Sequence, residues 1–170
     1  MSPNPMTEYT TPSLLHLAVE SSHARDDGDL SIIRLLLNCS ANVNSKGEEL
    51  NTETPLILAA KNQDNDDDAT SEILGLLLEN GADITAHDDE GNTALHLVTL
   101  YGFWRSMEVL VKAGTDLDYK NEEGQTPLDL VGNVGWEETE GKLIAWGADK
   151  RGSNKPERRV VSRNAMRIVR

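Results

Sequence analysis

Residues 64–68 read Asp-Asn-Asp-Asp-Asp, and Asp64, Asp66 and Asp68 have the alternating spacing with which a calcium loop begins. Such a loop also needs a glycine at its sixth position, for the sharp turn, and a bidentate glutamate at its twelfth. Those positions hold Ala69 and Gly75, so the run is not expected to bind calcium. The four histidines, His16, His23, His87 and His96, do not cluster at metal-ligand spacing, and Cys39 is the only cysteine, which excludes an internal disulfide. There is no Gly-Lys-Ser/Thr loop to cradle a phosphate and no Gly-x-Ser-x-Gly nucleophile turn. The chain is therefore not expected to be an enzyme, and no cofactor or metal is expected. Its reactive residue types point to a surface that binds.

Composition narrows what positions that surface. The 170 residues suffice for one compact domain, and aromatic residues make up only 4%. A core of Leu, Ala, Val and Ile is expected in place of a large aromatic one. No apolar run has the length to span a bilayer, and the first residues, MSPNPMTEYTTPS, lack the basic and apolar regions of a secretory signal. A cytoplasmic or nuclear location and a monomer in isolation are the expectations. The net charge of −13 is unevenly spread. Residues 150–170 hold eight Lys and Arg against one acid, Glu157, a net +7, so the other 149 residues carry −20. Such a body repels nucleic acid, which only the basic tail would attract, and favours a basic protein partner.

One phrase occurs four times: SLLHLAV at 13–19, ETPLILAA at 53–60, GNTALHLV at 91–98 and QTPLDLV at 125–131. Its Thr-like positions, Ser13, Thr54, Thr93 and Thr126, are 41, 39 and 33 residues apart. A second phrase follows each: LLLNCSANVN, LLLENGADIT, VLVKAGTDLD and LIAWGADKR. Self-similarity near a period of 33 signals stacked repeats. Thr followed by Pro predicts a capped helix start with proline in the first turn. Ile33/Leu36/Leu37, Leu74/Leu77/Leu78 and Met107/Leu110/Val111 have helical i, i+3, i+4 spacing. The glycine that follows the second helix in three of them, Gly81, Gly114 and Gly147, suits a left-handed C-terminal cap. A helix pair of this kind buries its apolar face only by stacking.

These phrases resemble the ankyrin repeat. Thr54-Pro55-Leu56 with Ala59, Thr93 with Leu95-His96, Thr126-Pro127-Leu128 and Leu15-His16 with Ala18 match its T-P-L-H-x-A motif. Gly81-Ala82-Asp83, Gly114-Thr115-Asp116 and Gly147-Ala148-Asp149 match its second motif, where the first repeat has Ser40-Ala41-Asn42. The resemblance implies a mainly α solenoid of helix-turn-helix units with short β-hairpin turns. Its four repeats span about residues 11–51, 52–90, 91–123 and 124–151, between a flexible N-terminus (1–10) and a basic tail (152–170). It gives His16 and His96 a structural role, hydrogen bonding to neighbouring turns. Val98 and Val131 replace the family's alanine and are expected to loosen helix packing slightly.

The resemblance also implies a function: non-catalytic protein binding through hairpin tips and the exposed ends of the first helices. By position these are Lys61 and Asn62 in repeat 2; Asp89, Glu90, Asn92, Leu100 and Tyr101 in repeat 3; and Glu122, Glu123, Gln125, Asn133 and Val134 in repeat 4. Tyr101, Phe103 and Trp104 form an aromatic cluster, with Trp136 at the position matching Phe103. Tyr101 is expected to be the exposed anchor. Trp104 either joins it or packs with Phe103 beneath the inter-helix turn. An escort for a basic client of ribosomal or histone type, and a targeting domain of a larger protein, are the alternative functions.

Three departures stand out. Repeats 1 and 2 place 19 residues between the Thr-like position and the first Ile of the second helix, about six more than the family spacing. The extra residues fall within 20–29 and 61–70 and predict two adjacent acidic loops, either solvated or forming a binding ledge. Glu140 and Gly141 are poor residues for the second helix of repeat 4 and suggest that the stack ends there. In the tail, Arg159, Arg163, Arg167 and Arg170 share one helical face opposite Val161, Ala165, Ile168 and Val169. That pattern fits a helix capping repeat 4, a linker, or a nuclear-import or nucleic-acid patch.

Overall fold

A computed structural model describes residues 14–22, 27–46, 53–134 and 137–149, with the side chains of 27–29 and 132–134 left out. Eight helices form over them: α1 (Leu14–Glu20), α2 (Asp27–Asn38), α3 (Pro55–Lys61), α4 (Asp67–Glu79), α5 (Ala94–Tyr101), α6 (Trp104–Lys112), α7 (Pro127–Val134) and α8 (Glu137–Trp146). They pair in sequence as four helix-turn-helix units. The odd-numbered helices stack in a row, α1 on α3, α3 on α5 and α5 on α7, while α4 runs along α6 in the second row.

Each unit stops its second helix in the same way. Gly81, Gly114 and Gly147 take positive φ of 86°, 89° and 113°, and Ser40 takes 64° in their place. The following amide then reaches back to the helix: Ala82 N–H donates to Leu77 O, Thr115 to Leu110 O, Ala148 to Leu143 O and Ala41 to Leu36 O. This double turn satisfies carbonyls that the helix end would otherwise leave bare. It forms even in repeat 4, where Gly141 weakens α8 by propensity.

The helix starts are less uniform than the Thr-Pro motif suggests. Thr126 and Asp129 cap α7 reciprocally: Thr126 N–H donates to Asp129 Oδ2 at 2.9 Å, and Asp129 N–H to Thr126 Oγ1 at 3.3 Å. In α5 the amide of Thr93 donates to His96 Nδ1 at 3.2 Å. Thr54 breaks the expectation of a capping hydroxyl. Its Oγ1 is buried and has no hydrogen-bond partner among the described residues, and the position that holds His96 or Asp129 in later repeats is Ile57. Pro55 at the first helical position still starts α3.

The core is a continuous strip of Leu, Ile, Val and Ala running through all four units. Ala59 and Ala60 are fully buried, as are Val98 and Val131 at the alanine position. His16 ties repeat 1 to repeat 2 and His96 ties repeat 3 to repeat 4: Nε2 of His16 donates to Glu53 O at 3.0 Å, and that of His96 to Gln125 O at 3.1 Å. Hairpin turns are present, but they are not strand ladders. Among the described residues the one β-bridge is His87 with Thr93. The turns are held instead by Asp and Asn side chains.

The insertion in repeat 2 is not a loop throughout. Compared with repeat 3, the turn between the helices lengthens from residues 102–103 to residues 62–66. The rest of the insertion adds one turn to the start of α4, which has 13 residues where α6 has nine. Residues 23–26 of the repeat 1 insertion lie outside the described residues.

Candidate protein-binding face

The hairpin that enters repeat 3 is built around Asp88. Its buried carboxylate accepts from the amides of Glu90 (3.0 Å) and Asn92 (2.8 Å) and from Asn92 Nδ2 (3.2 Å). Asn121 does the same work one repeat later, accepting from the amides of Glu123 (3.1 Å) and Gln125 (2.9 Å). A short side chain that bonds amides two and four residues ahead folds the backbone into a tight turn without a strand. Gly91 and Gly124 complete the turns at φ of 76° and 73°.

The two tips are bonded to each other. Asn121 Nδ2 donates to Asn92 Oδ1 at 2.8 Å, and the Glu122 amide donates to Glu90 O at 3.0 Å. A Cβ on Gly91 would stand 2.9 Å from the Glu122 nitrogen, so this close approach requires glycine. Held on this frame, Asp89, Glu90, Glu122 and Glu123 are exposed. They make a carboxylate edge with a fixed backbone.

Beside the edge, Lys61 reaches back along α3 to Glu53 at 2.7 Å. The hydrogen bond to Glu53 raises the Lys61 pKa above its ordinary value, and the fields of Glu53, Asp88 and Glu90 act in the same direction. Lys61 thus stays charged with Glu53 as its counter-ion, and the pair adds little net charge beside the edge. At the far end of the first helices, Gln63 Nε2 donates to the Tyr101 hydroxyl at 2.9 Å and bridges repeats 2 and 3.

Several expected contact residues are placed differently. Asn92 is buried, and its amide is spent on Asp88, Glu90 and Asn121, so it positions the tips and does not face a partner. Asn62 is half-buried and bonds Ser22 O (3.3 Å), Glu20 O (3.5 Å) and the Asp64 amide (3.0 Å), joining repeats 1 and 2. Gln125 and Leu100 are half-buried. The backbones of Asn133 and Val134 end α7, and their side chains lie outside the described residues, as does Trp136.

The aromatic cluster divides. Tyr101 is half-buried against Phe103, with ring centroids 5.7 Å apart. Trp104 is the more exposed, at 40%. It opens α6 in the second row, away from the hairpin tips. Lys142 Nζ lies 4.0 Å from its ring centroid and the Arg105 guanidinium carbon 5.0 Å. Those two cations, from α8 and α6, hold the indole in place. The expected order of exposure is therefore reversed, because the two-residue turn at 102–103 folds Tyr101 back onto Phe103.

The acidic run at 64–68 proves to be a set of caps. Asp66 Oδ1 accepts from the Ala69 amide at 2.9 Å and starts α4. Asp67 reaches into the next repeat, accepting from the amides of Arg105 (2.8 Å) and Ser106 (2.9 Å) and from Ser106 Oγ (2.8 Å). It caps α6, whose own N-cap residue, Phe103, has no side chain to do so. Asp68 pairs with Arg105. Position in the chain hid Asp67, since the amides that donate to it are nearly forty residues away. Asp88 and Asn121 were legible in principle as the Asx residue two before each tip.

Comparison with known proteins agrees with this architecture. The family model described as Ankyrin repeat matches residues 13–48 and 51–89, and the one described as Ankyrin repeats (many copies) matches 77–131. No curated protein matches the chain. The family matches end inside α7, yet α8 and its Gly147 turn repeat the pattern once more. From residue 13 to 131, in sequence and in helix geometry alike, the chain belongs to the ankyrin repeat family.

Proposed function

We propose that the chain binds a basic protein segment along the hairpin edge of repeats 3 and 4, with Asp89, Glu90, Glu122 and Glu123 as the carboxylates that meet it. Ankyrin repeats are in general non-catalytic protein–protein interaction modules. The observation that carries the finer reading is the bonded pair of tips, which presents four exposed carboxylates on a backbone that needs no ordering on binding. A Lys or Arg row on a partner would gain charge complementarity there, and the −20 of residues 1–149 would speed its encounter. An escort for a basic client is the narrower form of the same reading.

Affinity capture from the source cell tests it, with wild type beside the Asp89→Lys/Glu122→Lys/Glu123→Lys variant at low and high salt. These side chains are exposed, so circular dichroism should show both proteins equally folded. The variant should lose about tenfold or more in affinity for the captured partner, roughly 1.4 kcal/mol. Capture by wild type should weaken as salt rises, since exposed charges are screened. Equal capture by the variant, or binding indifferent to salt, would remove the carboxylate edge as the binding surface.

A further inference from the structure

We infer that the basic C-terminal segment 157–170 docks on the open end of repeat 1, its apolar face in the groove between α1 and α2. Comparing equivalent positions brings the groove to light. Ile32 and Leu35 of α2 correspond to Ile73 and Leu76 of α4, each 41 residues later. In repeat 2, whose α3 packs on α1 of repeat 1, these side chains are 2% and 5% exposed. In repeat 1 they are 51% and 61% exposed. Leu14 and Leu17 of α1 are exposed beside them. The result is a groove of about 270 Å³ lined by Leu14, Leu17, Ala18, Ser21, Ile32 and Leu36. An end repeat needs a polar outer face for solubility, and repeat 1 presents a stacking face instead.

The other end of the stack differs. In α8 the large exposed apolar residue is Ile144, and Glu137, Glu138 and Glu140 occupy the first turn. The tail therefore finds little apolar surface to cap on the described residues of repeat 4, and much more on repeat 1.

Charge selects the occupant. The segment joining α1 to α2, residues 20–29, carries Glu20, Asp26, Asp27 and Asp29 against Arg25. A second copy meeting the groove end to end would add a second acidic segment of the same composition, not a complementary one. Residues 1–13 offer three prolines and few large apolar side chains, Met1, Met6 and Tyr9. Segment 157–170 carries the complement of both features: Val161, Ala165, Ile168 and Val169 on one helical face, and Arg159, Arg163, Arg167 and Arg170 on the other. Reach is sufficient. Three repeat steps of about 10 Å separate the ends. Residues 150–160 can extend about 36 Å, which leaves 161–170, with Val161, Ala165, Ile168 and Val169, to lie in the groove. Docked there, the tail closes the stack and keeps its positive charge off the hairpin edge.

The single native cysteine makes this testable in the full chain. Cys39 is exposed about one turn beyond Leu35. A nitroxide on Cys39 should broaden the amide resonances of 157–170 several-fold, and reducing it should restore them. The broadening should be lost in Ile32→Glu/Leu35→Glu, whose side chains are already exposed, and in Val161→Asp/Ile168→Asp, which alters only the tail. Sharp tail resonances in the labelled wild type would overturn the proposal, as would broadening that survives both variants. Broadening that appears only when spin-labelled and isotope-labelled copies are mixed would also overturn it, and would assign the groove to a second copy.

Discussion

His96 shows how one side chain can serve the stack and limit its pH range. Its Nε2 faces the carbonyl of Gln125, so that nitrogen carries the proton and Nδ1 is left to accept from the Thr93 amide. Protonating Nδ1 would set two N–H groups against each other in a fully buried site. Burial accordingly pushes the His96 pKa below its ordinary value, more than the Gln125 carbonyl and Asp88 push it up. The folded state thus binds this proton less readily than the unfolded chain. Stability from this group is complete above the unfolded value of about 6.5 and is lost as pH falls from there towards the folded value. Urea midpoints between pH 8 and pH 5 should fall with pH in wild type. In His96→Gln they should start lower and fall less. Parallel profiles for the two proteins would show that another group sets the slope.

At the scale of elements, repeat 3 depends on repeat 2 for its second helix. Phe103 offers α6 no capping oxygen, and Asp67 supplies one from the lengthened α4. The acid also sits at the positive end of the α6 dipole. Replacing Asp67 with Ala should cost about 1–2 kcal/mol, the range for loss of an N-cap, read as a lower urea midpoint. Exchange of the Arg105 and Ser106 amides should accelerate in the same variant. Asp64→Ala, three residues before α4, should leave both amides unchanged. If Asp67→Ala leaves them protected, α6 starts without help from its neighbour. The insertion in repeat 2 was legible as extra length and as acid. Its use as a helical turn and a cap was not, because the amides it serves belong to another repeat.

At the scale of the whole molecule, the hairpin tips couple repeats 3 and 4 outside the helical core. Gly91 and Gly124 have nearly the same positive φ, yet a Cβ on Gly91 meets the Glu122 nitrogen, whereas on Gly124 it meets nothing within 4 Å. The pair therefore separates backbone strain from inter-repeat contact. Gly124→Ala should cost about 1 kcal/mol, the left-handed penalty alone. Gly91→Ala should cost about 2–3 kcal/mol, since the backbone of the next tip must also move. It should also weaken capture of the partner, because the carboxylates of the two tips would no longer be held in register. Equal costs in urea unfolding would mean that the tips are not coupled.

The sequence by itself determined the repeat. Four phased phrases, two of them with Thr-Pro-Leu, helical spacing of Leu and Ile, and glycines after three of the second helices are local signals, and each acts within a few residues of where it is written. Helix number, helix order and the left-handed stops follow from them directly. The tertiary structure decided what each polar side chain is for. Asn92 and Asn62, which read as surface contacts, are consumed by bonds to neighbouring repeats. Trp104 stands out beneath two cations, while Tyr101 folds inward. Ile32 and Leu35 are uncovered although their repeat 2 equivalents are buried. For Asn92, Asn62 and Trp104 a deciding partner lies some thirty or forty residues away in the chain, and for Ile32 and Leu35 the expected one is missing; only stacking brings such partners together or leaves them out.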